Sequence, residues 1–108
     1  MIVVKFKPKT YEVTVTGHAG QNKKGKDIVC SAISILFYTL GDSLMKCMEM
    51  MEEEPVVKDD DGYGYAICKP KEEYVANIEM IYWTVLNGVQ LVAETYGKYV
   101  KLVIEEND

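Results

Sequence analysis

Tyr11-Glu12-Val13-Thr14-Val15-Thr16-Gly17-His18-Ala19-Gly20, with the stretch that follows it to Asp27-Ile28-Val29-Cys30-Ser31-Ala32-Ile33, holds the change of period that decides the fold. From Tyr11 to Thr16 the side chains alternate, with Val13 and Val15 facing one way and Glu12, Thr14 and Thr16 the other. That is the period-two pattern of a strand with one covered face. Gly17 to Lys26 has three glycines, three lysines, an Asn and a Gln and no apolar periodicity, so it reads as a flexible loop. Beyond it Val29, Ile33, Leu36, Leu40, Leu44, Cys47 and Met51 recur at steps of three and four, one face of a long helix with Asp27 as its N-cap.

The same patterns extend both ways from this junction. Upstream, Ile2, Val4 and Phe6 alternate with Val3, Lys5 and Lys7, and Pro8-Lys9-Thr10 turns this strand into the next, a hairpin. Downstream, Glu52-Glu53-Glu54-Pro55 is expected to close the helix, because proline cannot continue it and acids oppose its C-terminal dipole. Gly41 interrupts the helix at about 1 kcal/mol relative to alanine. The Met-rich segment from Met45 to Met51 is read as core filling rather than as a partner groove. Val56-Val57-Lys58 and Tyr63 to Lys69 are expected as strands around Asp59-Asp60-Asp61-Gly62, where Asp-Gly signals a hairpin. No acid follows at calcium-loop spacing, so the aspartates read as a solvated turn. A second helix is expected from about Glu72 to Tyr96, with Tyr74 or Val75, Ile78, Tyr82, Val85, Val89, Val92 and Tyr96 inward and Gly97 as C-cap glycine. Tyr99 to Glu105 is the last strand, followed by a frayed acidic tail. The order ββαββαβ implies one α+β two-layer domain over residues 1–108, a mostly antiparallel sheet with two helices.

Composition bounds the partners. The 108 residues are 48% apolar and 27% charged, as expected of one globular domain. No apolar run approaches the roughly 20 residues that cross a bilayer, and the N-terminus lacks the layout of a secretion signal. A cytoplasmic protein with no membrane partner is expected. Twelve lysines, no arginine and 17 acids leave a net charge of −5. Direct nucleic-acid binding is disfavoured, and a basic protein partner is compatible with the charge. Cys30, Cys47 and Cys68 lack metal-ligand spacing and His18 is the lone histidine, so no metal, no cofactor and no disulfide framework are expected.

The chemistry-bearing residues flank the loop. His18 follows the second strand in Gly17-His18-Ala19-Gly20, and Cys30 stands in the first helical turn. With Asp27 as N-cap, Cys30 takes the third helical position, where open backbone N–H groups and the dipole favour a thiolate and could form an oxyanion hole. A Cys–His pair is what acyl transfer needs, the imidazole taking the thiol proton and later giving one to the leaving amine. The charge of Asp27 opposes a thiolate unless capping or His18 engages it. Strict alternation puts His18 on the Thr14, Thr16 side, so the chain must bend at Gly17 to carry it over Cys30. The rival readings are a non-catalytic interaction module and a redox-sensing thiol, the latter lacking an obvious resolving cysteine.

At these residues the chain resembles the ribosomal-processing cysteine proteases called Prp. The resemblance rests on Gly17-His18-Ala19, a loop containing Gly25, and Asp27-Ile28-Val29-Cys30 followed by Ala32 and Ser34, and it extends over the whole chain. It implies removal of a short N-terminal extension from the twenty-seventh protein of the bacterial large ribosomal subunit. The segment removed carries an apolar, aromatic-containing motif. It also implies Cys30 as nucleophile, His18 as general base, Gly17, Asp27 and Ser34 in support, and a homodimer. Two further expectations concern mobility and assembly: the loop 19–26 acts as a gate, and Trp83 lies at a subunit interface.

Overall fold

The computed structural model describes residues 1–17 and 26–106, and of Lys26 and Asp27 the backbone only. Five strands and two helices follow in the expected order. They are β1 (Ile2–Lys7), β2 (Glu12–Thr16), α1 (Lys26–Lys46), β3 (Val56–Asp60), β4 (Tyr63–Ile67), α2 (Val75–Thr95) and β5 (Val100–Ile104), with single 3-10 turns at Met48–Met50 and Glu72–Tyr74. The sheet order is β3-β4-β2-β1-β5. All neighbours are antiparallel except β1 and β5. This is the expected α+β architecture. Since β2 and β3 run the same way, as do β4 and β5, each helix is a crossover that carries the chain back to the end of the sheet where the preceding strand began.

Alternation sorts the sheet into two faces. Val4 pairs with Val15 and Leu102, Phe6 with Val13 and Ile104, and Val13 with Ala66, so the apolar rows of four strands line up under the helices. The other face carries Lys5 bonded to Glu105 at 3.1 Å and Lys7 to Glu12 at 3.4 Å. There the Tyr65 hydroxyl donates to Glu12 Oε1 at 3.1 Å. Glu105 is therefore tied to the sheet, its N–H donating to Phe6 O at 2.8 Å, as a last strand running to Glu105 requires.

α1 differs from expectation at both ends. It begins at Lys26, so Asp27 is its second residue rather than its cap. It stops at Lys46, short of Cys47 and Met51, although the apolar stripe continues. The reason is non-local: Lys71 N–H donates to Met50 O and Glu52 N–H to Lys69 O, at 2.9 and 2.8 Å. These bonds form a bridge between Met51 and Pro70 that draws the backbone out of the helix. Met51 is buried through that bridge and Met50 packs against the core, whereas Met45 and Met48 are 37% and 38% exposed and fill nothing. The buried stripe of α1 is Val29, Ile33, Phe37, Leu40 and Leu44. Phe37 takes the inward place expected of Leu36, which turns to α2 and meets it where Gly88 leaves room. Gly41 is likewise a close approach: a β-carbon there would lie 2.7 Å from Val57 Cγ1.

By length and hydropathy Ile28–Lys46 is apolar enough to cross a bilayer, contrary to expectation. Here its buried face, from Val29 to Leu44, packs into the core. α2 buries Ile78, Tyr82, Val85, Leu86 and Val89. It ends on Tyr96, whose N–H donates to Val92 O at 2.7 Å, and Tyr99 N–H then reaches Tyr96 O at 2.9 Å. That turn needs no left-handed residue, so Gly97 is not the expected C-cap glycine; among the described residues positive φ occurs at Tyr11, Gly17 and Gly62. Trp83 is 45% exposed, yet its ring meets Phe6 edge-on at 5.2 Å. One position beyond Tyr82, it covers the rim of the core rather than facing away from it.

Candidate active site

A cleft of about 510 Å³ opens between the N-terminal half of α1, the start of β1 with the end of β2, and the β3–β4 hairpin. Its helical wall is Cys30, Ile33, Ser34 and Phe37, spaced three, four and seven residues from Cys30 and therefore on one face. Cys30 is half-buried and Ser34 exposed. The fifth residue of α1, Cys30 sits one turn in, where its own N–H is already engaged within the helix. The third helical position expected for it is not found. The open N–H groups belong to the residues before it, so they, and not Cys30 N–H, are the donors available to a developing oxyanion.

Gly17 explains how β2 ends beside this thiol. Its φ is +89°, and a β-carbon there would run into the Met1 carbonyl oxygen. Only glycine serves at such a place, since left-handed backbone and backbone contact coincide. Gly17 N–H donates to Gly62 O at 3.0 Å, which pins the bend to the hairpin turn. The bend expected at Gly17 is therefore present. Its consequence for His18 lies outside the described residues, as do the gate expected of residues 19–26 and the side-chain roles expected of Asp27. Of the site residues read from sequence, Gly17, Cys30 and Ser34 are brought to one cleft.

The opposite wall was not legible as part of the site. Asp59, Asp60 and Asp61 line the cleft, and the first two belong to β3 rather than to a solvated turn. The turn proper is Asp61-Gly62, with Gly62 at φ +73° and Asp61 N–H bonded to Asp60 Oδ1 at 2.8 Å. Tyr38 faces this wall from α1. Its hydrogen bond to the Asp59 carboxylate, and then that charge, raise its phenol above the ordinary 10.0. Under the rim the cleft is apolar, with Ile2, Val15, Ile33 and Phe37.

The remaining thiols are differently placed. Cys68 is buried beside a second cavity of about 430 Å³, at the opposite end of the sheet, where Tyr11 and Pro70 also line it. Burial pushes its thiol above the ordinary 9.0, although the neighbouring Tyr82 hydroxyl, 3.4 Å away, pulls the other way. That is the environment of an inert thiol. Cys47 is half-buried just beyond α1 and packs against the core.

A family model described as Cysteine protease Prp matches residues 1–101. Two curated relatives, both called "Ribosomal processing cysteine protease Prp" and from Staphylococcus aureus strains Mu50 and NCTC 8325, are each 26% identical over 101 residues, covering 94% of this chain and 92% of theirs. Among solved structures, the S. aureus processing protease with a covalently linked product peptide superposes with a TM-score of 0.75 at 22% identity, over 97% of this chain and 100% of that one. The same protease with a substrate peptide gives 0.74, with the same identity and coverage. These structures share the fold described above.

Proposed function

The chain belongs to the cysteine protease Prp family, the ribosomal processing proteases, and from that premise we propose that it removes the N-terminal extension of the twenty-seventh protein of the bacterial large ribosomal subunit. The observation that carries the reading is the half-buried thiol of Cys30 on the wall of a peptide-sized cleft, beside the bend at Gly17. Cys30 is the nucleophile and His18 the general base. The thiol proton passes to the imidazole as sulfur attacks the scissile carbonyl carbon. The imidazolium returns a proton to the leaving amine as the C–N bond breaks, and a thioester remains on Cys30. Water, deprotonated by the same imidazole, then cleaves the thioester and restores the thiol. Gly17 supplies the bend at the end of β2, Asp27 supports the helix start, and Ser34, one turn beyond Cys30, lines the site.

A net charge of −5 supports a basic ribosomal protein as substrate. The S. aureus relative carries a covalently linked product peptide, which supports a peptide as the occupant of this cleft. The working protein is a homodimer in the cytoplasm, and sedimentation of a dilute sample measures the dimer directly.

Iodoacetamide labelling read by mass spectrometry tests the assignment. Cys30 reacts first, ahead of Cys47 and Cys68, and Cys30→Ala abolishes cleavage of a peptide spanning the extension while still binding it. His18→Ala slows the labelling and abolishes cleavage with the thermal melt little changed. Labelling of Cys68 before Cys30, with the peptide bound but uncut, makes the chain a non-catalytic interaction module instead.

A further inference from the structure

Resting on the reading of Cys30 as nucleophile, the geometry points to Phe37 as a specificity-determining residue. Its ring, laid over Gly64, is the floor of a subsite for an apolar side chain about two to three residues from the scissile bond. Phe37 follows Cys30 by seven residues on the cleft face of α1, a separation of about 10 Å along the helix at about 1.5 Å per residue. An extended peptide lying along that face advances about 3.3 Å per residue. The side chain over Phe37 is therefore not the one at the cut bond.

The depth of this subsite is set from beneath. Gly64 is buried in β4, opposite Val15 of β2. A β-carbon at position 64 would lie 3.1, 3.2 and 3.3 Å from Cζ, Cε2 and Cε1 of Phe37. Carbon–carbon contacts prefer about 3.5–4.0 Å, so the ring edge already occupies the place of a missing side chain. A larger residue at 64 must push the ring off its present place by a few tenths of an ångström, and a ring raised from the sheet makes the subsite shallower. On its inner side Phe37 borders a small interior gap with Val13, Leu40 and Leu86, which makes the ring the partition between cleft and core. With the ring only 5% exposed and Ile2, Val15 and Ile33 around it, the subsite has no charged neighbour at its base among the described residues, and the acids stand at the hairpin rim. Gly64 is the positioning residue and Phe37 the one that touches substrate.

Peptides carrying Ala, Leu, Phe or Trp at each position within about four residues of the cut bond test this, with kcat and KM measured for the wild type, Phe37→Leu and Gly64→Ala. Shortening the floor residue raises the preference for the largest side chain over alanine by roughly tenfold, in line with the worth of a methylene or two in an apolar pocket. Lifting the ring lowers that preference by a similar factor through KM. Both changes fall on one peptide position, two or three residues from the cut. Unchanged preference at every position in both variants, or changes confined to the residue at the cut bond, overturns the proposal. Should one variant fail to fold, the sign of the shift in the other decides. Wild-type protein that cuts no peptide, with Cys30 labelled no faster than Cys47, refutes the protease reading itself, before either variant is examined.

Discussion

At Tyr82 one phenol serves three neighbours. Its hydroxyl donates to Tyr11 O at 2.7 Å, where the backbone has φ 58°, and its ring stacks on Phe6 with centroids 5.3 Å apart. Tyr82→Phe keeps the stacking and removes the donor, so urea unfolding should show a loss of about 1–2 kcal/mol. The buried thiol of Cys68 beside it makes stability pH-dependent. Its folded value lies above the ordinary 9.0, so the unfolded chain loses that proton first. The stabilisation is complete below about pH 9 and declines as pH rises from there through the raised folded value. Urea midpoints should therefore fall as pH rises above about 9, and that slope should flatten in Cys68→Val. Gly17→Ala forces alanine into left-handed backbone against the Met1 carbonyl. A loss of at least about 1–2 kcal/mol in thermal unfolding is expected, with cleavage impaired as the bend shifts.

Among the elements, Gly41 shows where local propensity misleads. An exposed helix interior should gain about 1 kcal/mol from Gly→Ala. Here the added methyl meets Val57 at 2.7 Å, so Gly41→Ala should be neutral or destabilising, and Val57→Ala should restore the gain in the double variant. A double-mutant cycle by chemical denaturation measures that coupling. The same contrast divides what could be read from the chain. β1 and β2 were legible because both alternate and pair through a short turn, and α2 because Ile78, Tyr82, Val85 and Val89 keep helical spacing. The end of α1 was not, because the stripe runs on to Met51 while Lys69 and Lys71 claim the backbone there. In the site, Cys30 was legible from its place in the first helical turn after the loop, whereas Ser34, one turn beyond on the same face, was marked only by the family resemblance. Phe37 lies on that face too, and counting one further turn would have found it. Asp59, Tyr63 and Gly64 reach the cleft only because β4 lies next to β2, a relation set by the sheet order.

For the whole molecule, every boundary of the cleft comes from a different stretch of chain, and one core joins them. Opening Cys68 to reagent requires parting α2 from the sheet, so its labelling should appear at the same urea midpoint as loss of far-ultraviolet circular dichroism. Labelling that precedes that midpoint would show α2 detaching as a unit of its own. The contact between Gly17 and the Met1 carbonyl bears on how the protein should be handled at the bench. Ile2 lies on the cleft wall and pairs with Val100, while Phe6 pairs with Ile104 at the far end of the same two strands. Residues spliced ahead of Met1 by an expression vector would begin beside that cleft, tethered there at high local concentration. A purification handle belongs after β5, some four residues or about 13 Å of strand away from it. An N-terminal handle turns the enzyme's own leader into a competitor of any substrate added to the assay.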